Sequence, residues 1–306
     1  IPFTFTKKIY GSTEKPTFKF TIAEWDMDKN AAKTSTDVGY SPEGEISLKV
    51  TGSQAAKTVH FIFGSKAAYG DYWFKISENA YTKWYEAATA YFVHVKLSAE
   101  GAEVVGVKKN KVTAEENRMP YDTVFQNYRL STLQINKLVE GSPASQDQEY
   151  SFKLVFAQGS SKLKPTALSI QGRKYNADGE LIETLDYEKK ATWEFTLKHG
   201  EYIIFNNLPT GLKWTLTEAS SDGYRAAWEI TDGSTIGSGE GYVSSDTLKK
   251  DTNTVVYTNT STYRLPETGG SGATTYTMVG LMLILCGITY LIYQTKARRK
   301  GGYYSP

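Results

Sequence analysis

Residues 3–11 read FTFTKKIYG, and residues 133–141 read LQINKLVEG. In each, apolar side chains recur every second residue: Phe3, Phe5 and Ile9 in one, Leu133, Ile135 and Val139 in the other. A period of two is the signature of a strand with one face in a core, because successive side chains point to opposite sides of a sheet. The same alternation returns in TFKFTI (17–22), YFVHVKL (91–97) and YSFKLVF (150–156). Turn-forming clusters such as PEGE, AEGAE, NADGE and SDGY separate the runs. A short helix is expected over 79–90, and no long 3.6-residue period occurs before residue 276. The body is therefore expected to be all-β.

The two opening stretches are the first of four ordered correspondences. PTFKFTI (16–22) lines up with QEYSFKLVF (148–156), GDYWFKISE (70–78) with GLKWTLTE (211–218), and TVFQNY (123–128) with VVYTNT (255–260). A repeated order of this kind marks two related units. We expect two tandem immunoglobulin-like β-sandwich domains, residues 1–130 and 131–263, with a boundary near YRLST. Each is long enough to bury a core of its own.

Three polar residues fall on the core-facing parity in each unit. Lys7 stands between Phe5 and Ile9, and Lys137 between Ile135 and Val139. Glu78 closes the row Tyr72, Phe74, Ile76, and Glu218 closes Leu212, Trp214, Leu216. Asn127 follows Thr123 and Phe125, and Asn259 follows Val255 and Tyr257. A lone lysine in such a row is ordinarily an edge or snorkelling residue. The order Lys, Glu, Asn, repeated twice with Lys–Asn separations of 120 and 122 residues, argues for a joint role. Burial disfavours charge, so the amine tends to lose its proton and the carboxyl to hold one. A neutral amine is a nucleophile, and a protonated carboxyl can polarise an amide and pass protons to its departing nitrogen. Held in proximity, the three would form a Lys–Asn isopeptide bond and release ammonia.

This pattern resembles Gram-positive pilins and adhesins of the streptococcal major-pilin (FctA-like) and collagen-adhesin B types. The resemblance covers most of 1–263. It implies immunoglobulin-like domains with internal isopeptide bonds, Lys7 to Asn127 promoted by Glu78 and Lys137 to Asn259 promoted by Glu218. Such a bond would close a loop of about 120 residues and, by analogy with a disulfide, restrict the unfolded chain by about 4–5 kcal/mol. It would also account for a body without disulfides, since the one cysteine, Cys286, lies in the apolar C-terminal segment.

That segment, YTMVGLMLILCGITYLIY (276–293), carries no charge and nears the length of a spanning helix. Its flanking Tyr276, Tyr290 and Tyr293 suit an interface, and Lys296, Arg298, Arg299 and Lys300 place the end of the chain in the cytoplasm. Just upstream, LPETG (Leu265, Pro266, Glu267, Thr268, Gly269) resembles the L-P-x-T-G motif read by sortases. Motif, apolar span and basic tail together, over 264–306, resemble a Gram-positive cell-wall sorting signal. The resemblance implies cleavage between Thr268 and Gly269 and transfer of Thr268 to an amine of peptidoglycan or of a neighbouring pilin. The membrane helix holds the substrate until then, and the cell surface is the expected location. The opening IPFTFTKKIY is not an export signal, so the chain is expected to be a mature form or a fragment.

Other classes find little footing. With the basic tail set aside, residues 1–264 are close to neutral, which argues against a nucleic-acid partner. His60, His94 and His199 lack metal-ligand spacing, and no nucleophile triad, P-loop or dinucleotide fingerprint is present. We expect no cofactor, no metal and no enzymatic activity. Two roles stay open: a polymerised pilus subunit, or a wall-anchored adhesin or stalk that is part of a longer protein. No V-Y-P-K motif supplies an accepting lysine, and Lys108, Lys109 and Lys111 read as a solvated charge run. A host or cell-surface ligand would bind through loops that the sequence does not single out.

Overall fold

The computed structural model describes residues 1–141, 144–232, 236–249, 251–262 and 271–300. In chain order the first half holds β1 (Pro2–Tyr10), β2 (Thr17–Asp26), β3 (Ala31–Ala32), β4 (Val38–Ser41), β5 (Ile46–Lys49), β6 (Gln54–Phe63), β7 (Gly70–Glu78), β8 (Trp84–Glu86), β9 (Ala90–Ser98), β10 (Gly101–Lys109) and β11 (Asn117–Arg118). A 17-residue strand, β12 (Val124–Glu140), follows. The second half adds β13 (Tyr150–Ala157), β14 (Ile170–Tyr175), β15 (Leu181–Glu188), β16 (Thr192–Leu197), β17 (Tyr202–Pro209), β18 (Lys213–Glu218), β19 (Tyr224–Thr231), β20 (Ile236–Glu240), β21 (Val243–Thr247) and β22 (Asp251–Ser261). The helix α1 (Ser271–Lys300) comes last.

The body is all-β, built as two sandwiches that share β12. In the first, β12, β1, β6 and β4 face a sheet ordered β11-β10-β9-β7-β2. In the second, β15, β14, β17, β12, β22, β19 and β20 face β16-β13-β18-β21. Each pair of inner faces encloses an aromatic-rich core. One is centred on Phe5, Phe20, Phe61, Phe74 and Phe125, the other on Phe152, Trp193, Phe205, Trp214 and Tyr257. Burial follows the alternation in the sequence, with Phe3, Phe5, Lys7 and Ile9 of β1 all inside.

No turn marks the expected boundary near YRLST. The single strand β12 pairs with β1 and β8 over its first part and with β17 and β22 over its second. Every odd residue from Phe125 to Val139 is buried, so one alternating run serves both cores. The expected helix over 79–90 does not form. Trp84–Glu86 is strand, paired to Asn127–Arg129 of β12. Closing that edge of β12 satisfies backbone groups that a local helix would leave open.

The joint between the sandwiches is polar and gathers around Arg129. The Arg129 side chain, 4 % exposed, donates to Glu14 at 3.1 Å and to Asp251 at 2.8 Å, and also to the carbonyls of Lys83 and Leu130. Its guanidinium lies 5.9 Å from the Trp84 ring. Lys83 also reaches Asp251, and these two cations, Lys83 first, hold the Asp251 carboxyl below its ordinary range. Thr210 of the second half donates to the Gly11 carbonyl. Gly11 has φ +77°, and a Cβ there would stand 1.9 Å from the Thr210 hydroxyl oxygen, so only glycine fits.

Candidate functional site

Parallel pairing of β1 with β12 sets Lys7 beside Phe125 and Ile9 beside Asn127. Lys7 and Asn127 therefore project from adjacent strands into the same core, one diagonal step apart. The second half repeats this register: Lys137 pairs with Tyr257 and Val139 with Asn259. From the facing sheets, Glu78 ends β7 opposite Phe20 of β2, and Glu218 ends β18 opposite Phe152 of β13. The structure brings all six sequence-predicted residues into two equivalent constellations. Lys7, Asn127, Lys137 and Asn259 are 0 % exposed.

In the first constellation the Lys7 amine contacts both Glu78 oxygens, at 2.6 and 2.8 Å, and Asn127 Nδ2 donates to Glu78 Oε1 at 2.6 Å. In the second, Asn259 Nδ2 donates to Glu218 Oε1 at 2.7 Å. Lys137 Nζ stands 3.1 Å from the same oxygen without hydrogen-bond alignment. The amide oxygens Asn127 Oδ1 and Asn259 Oδ1 are buried without a hydrogen-bond partner. An aromatic ring floors each site: Phe18 lies 4.2 Å from the Lys7 amine and Tyr150 lies 4.5 Å from that of Lys137. Phe18 and Tyr150 stand two residues before Phe20 and Phe152, so they are counterparts too.

Burial dominates the electrostatics. It lowers both lysines from 10.5 to about 8, against the opposing pull of Glu78 and Glu218. It raises both glutamates, against the same lysines and the asparagine amides. At pH 7 such a lysine has roughly a tenth of its amine neutral, where an ordinary lysine has well under a thousandth. Proton transfer within the pair also turns two ions into two neutral groups, which an apolar site favours.

A chain with Asn259→Ala keeps Lys137 and Glu218 but offers no amide to attack. Between pH 8 and 10.5 its unfolded form binds more protons at Lys137 than its folded form, so this contribution to stability grows with pH and is lost as pH falls toward 8. Glu218 acts with the opposite sign, its contribution being lost as pH rises through its raised folded value. Urea unfolding of the second half from pH 8 to 9.5 should show the lysine-dependent rise. The rise should vanish in the Lys137→Met, Asn259→Ala double variant, and a flat single variant would contradict it.

The floor residues Phe18 and Tyr150 and the joint residue Arg129 were not picked out from the sequence. Arg129 shares the parity of Asn127 and Lys137, so the pattern that finds the lysines extends to it. The histidines lie apart, and His94 is held between Glu116 and Asp71. Among the described residues no group of His, Cys, Asp or Glu is arranged to hold a metal. In α1, Tyr276–Thr295 is long and apolar enough to cross a membrane, with mean hydropathy 1.8 and none of it buried. The LPETG motif at 265–269 lies outside the described residues.

Residues 131–261 match a family described as a domain of unknown function, DUF7601. No curated protein matches the chain. Among solved structures, the major pilin from Streptococcus pyogenes is 19 % identical with a TM-score of 0.43, over 85 % of this chain and 98 % of that one. The T-13 major pilin from the same species is 18 % identical with a TM-score of 0.38, over 85 % and 97 %. The chain is similar to these pilins. The pilus-presented adhesin Spy0125 (Cpa) is 14 % identical with a TM-score of 0.32, over 57 % of this chain and 37 % of that one.

Proposed function

We propose that the chain is a pilin-like structural subunit of the cell surface, with each sandwich locked by its own Lys–Asn isopeptide bond. The observation that carries this reading is the pair of buried Lys–Glu–Asn constellations in one register, twice over. In each, the neutral lysine amine attacks Cγ of the asparagine and a C–N bond forms. With a protonated glutamate the amide turns over, so that Oδ1 accepts the carboxyl proton and the developing oxyanion is stabilised. The carboxylate then takes a proton from the lysine nitrogen and delivers it to Nδ2. The C–Nδ2 bond breaks and one ammonia leaves, and as the carbonyl re-forms the Oδ1 proton returns to the carboxylate, which regenerates the protonated glutamate. The balance is amine plus primary amide giving secondary amide plus ammonia, with no oxidant or metal involved.

The covalent units are residues 1–130 and 131–263, followed by a sorting signal over 264–306. A sortase would cleave after Thr268 and pass it to an amine of peptidoglycan or of a neighbouring subunit, and the catalysis of attachment would belong to the sortase. Polymerisation and single anchoring share this step and differ in the accepting amine. Because Asn127 and Lys137 sit on the same strand, load entering at Thr268 would pass from Asn259 to Lys137, along β12 to Asn127, and across to Lys7. The rest of each sandwich would lie off that path.

Intact-mass measurement of the full chain in detergent tests this reading. The chain should be lighter than its sequence by two ammonia, one assigned to each half by peptide mapping. A full unmodified mass would end it.

A further inference from the structure

The closing strand β22 carries the triplet Thr-Asn-Thr twice, at 252–254 and 258–260. The two asparagines are six residues apart and both face the core. Their neighbours on β12, Ser131 and Lys137, are also six apart. Ser131 pairs with Asp251 and Lys137 with Tyr257, so Asn253 stands one diagonal step from Ser131 just as Asn259 does from Lys137. Both members of the upstream pair are buried, Ser131 at 4 % and Asn253 at 2 % exposed. Asn253 Nδ2 donates to Ser131 Oγ at 2.8 Å and to the Thr132 carbonyl at 3.2 Å, and its Oδ1 accepts from the Lys249 backbone at 2.9 Å. Ser131 Oγ lies 2.6 Å from the Lys249 carbonyl and 2.7 Å from that of Asp251.

Register is the quantity at stake in a strand that must deliver one side chain to one spot. A one-residue slip of β22 would turn Asn259 out of the core, and a two-residue slip would put Tyr257 or Ser261 in its place. The β-branched run around Tyr257 packs similarly in neighbouring registers, whereas a buried amide and hydroxyl that satisfy each other do so in only one. Buried polar pairs are best attested in this role of fixing register. The first half has no counterpart, since Ile1 and Tyr121 occupy the corresponding positions.

We infer that Ser131 and Asn253 are positioning residues for the second cross-link, setting the register that places Asn259 at Lys137. This rests on the isopeptide reading above. The test follows ammonia loss with time after cell-free synthesis of the full chain in detergent, with peptide mapping to separate the halves. Ser131→Ala and Asn253→Ala should slow the second-half reaction by roughly tenfold or more, the penalty of a misplaced reacting pair, and leave the first half unchanged. Ser131→Thr, which keeps the hydroxyl, should restore the rate. Equal rates in all chains would overturn the inference, as would loss of the reaction only alongside protease sensitivity of the whole second half in Ser131→Ala, which marks a purely structural role. A wild-type chain that loses no ammonia would instead defeat the isopeptide reading itself.

Discussion

The Glu218→Ala chain should retain the ammonia of its second half while the first half still loses one, and its second half should melt far earlier. Glu218 is the only carboxyl hydrogen-bonded to Asn259 among the described residues, and it lies beside the Lys137 amine. Without it no group holds the proton that polarises the amide or passes one to the leaving nitrogen. Loss of the cross-link releases a loop of about 120 residues, worth about 4–5 kcal/mol by the disulfide analogy. In a unit of this size that corresponds to a fall in melting temperature of roughly 15 °C. Glu78→Ala should give the mirror result in the first half. Glu218→Gln keeps the volume without the proton chemistry, so it separates the missing bond from a missing side chain. If Glu218→Ala still lost two ammonia, the carboxyl would have no part in the reaction.

Arg129→Ala should loosen the joint without touching either cross-link. The guanidinium is buried, and its removal leaves Glu14, Asp251 and two carbonyls without their shared donor. Breaking such a network costs about 3 kcal/mol, at the low end for buried pairs because both carboxylates are partly exposed. Thermal unfolding should fall by roughly 5–10 °C. Distances between probes on the two halves, at Lys29 and Glu194, should broaden. Arg129→Met keeps the aliphatic stem near Trp84 and should recover part of the melting temperature but not the narrow distances. An unchanged distance distribution in Arg129→Ala would show that continuity of β12 alone aligns the sandwiches.

Much of the fold was legible because half-buried strands write burial into alternate residues. Phe3, Phe5, Lys7 and Ile9 could be assigned to one face before any partner strand was known, and the same rule exposed Glu78, Asn127 and their counterparts. The segment 79–90 departs from its expected helix because its state depends on a distant strand edge, Asn127–Arg129, that no local pattern reports. The boundary near YRLST falls inside one continuous strand for a related reason. Leu130 and Ser131 continue an alternation that one core leaves off and the other takes up.

By itself the sequence determined that Lys7, Glu78 and Asn127, and likewise Lys137, Glu218 and Asn259, belong inside a β core. Side-chain parity is a local property of each strand and needs no knowledge of its neighbours. Only the tertiary structure decided that the members of each set meet, that Phe18 and Tyr150 floor them, and that Arg129 ties the sandwiches together. Those facts depend on which strands pair and in what register, and the energy that selects a register comes from contacts between residues more than a hundred positions apart.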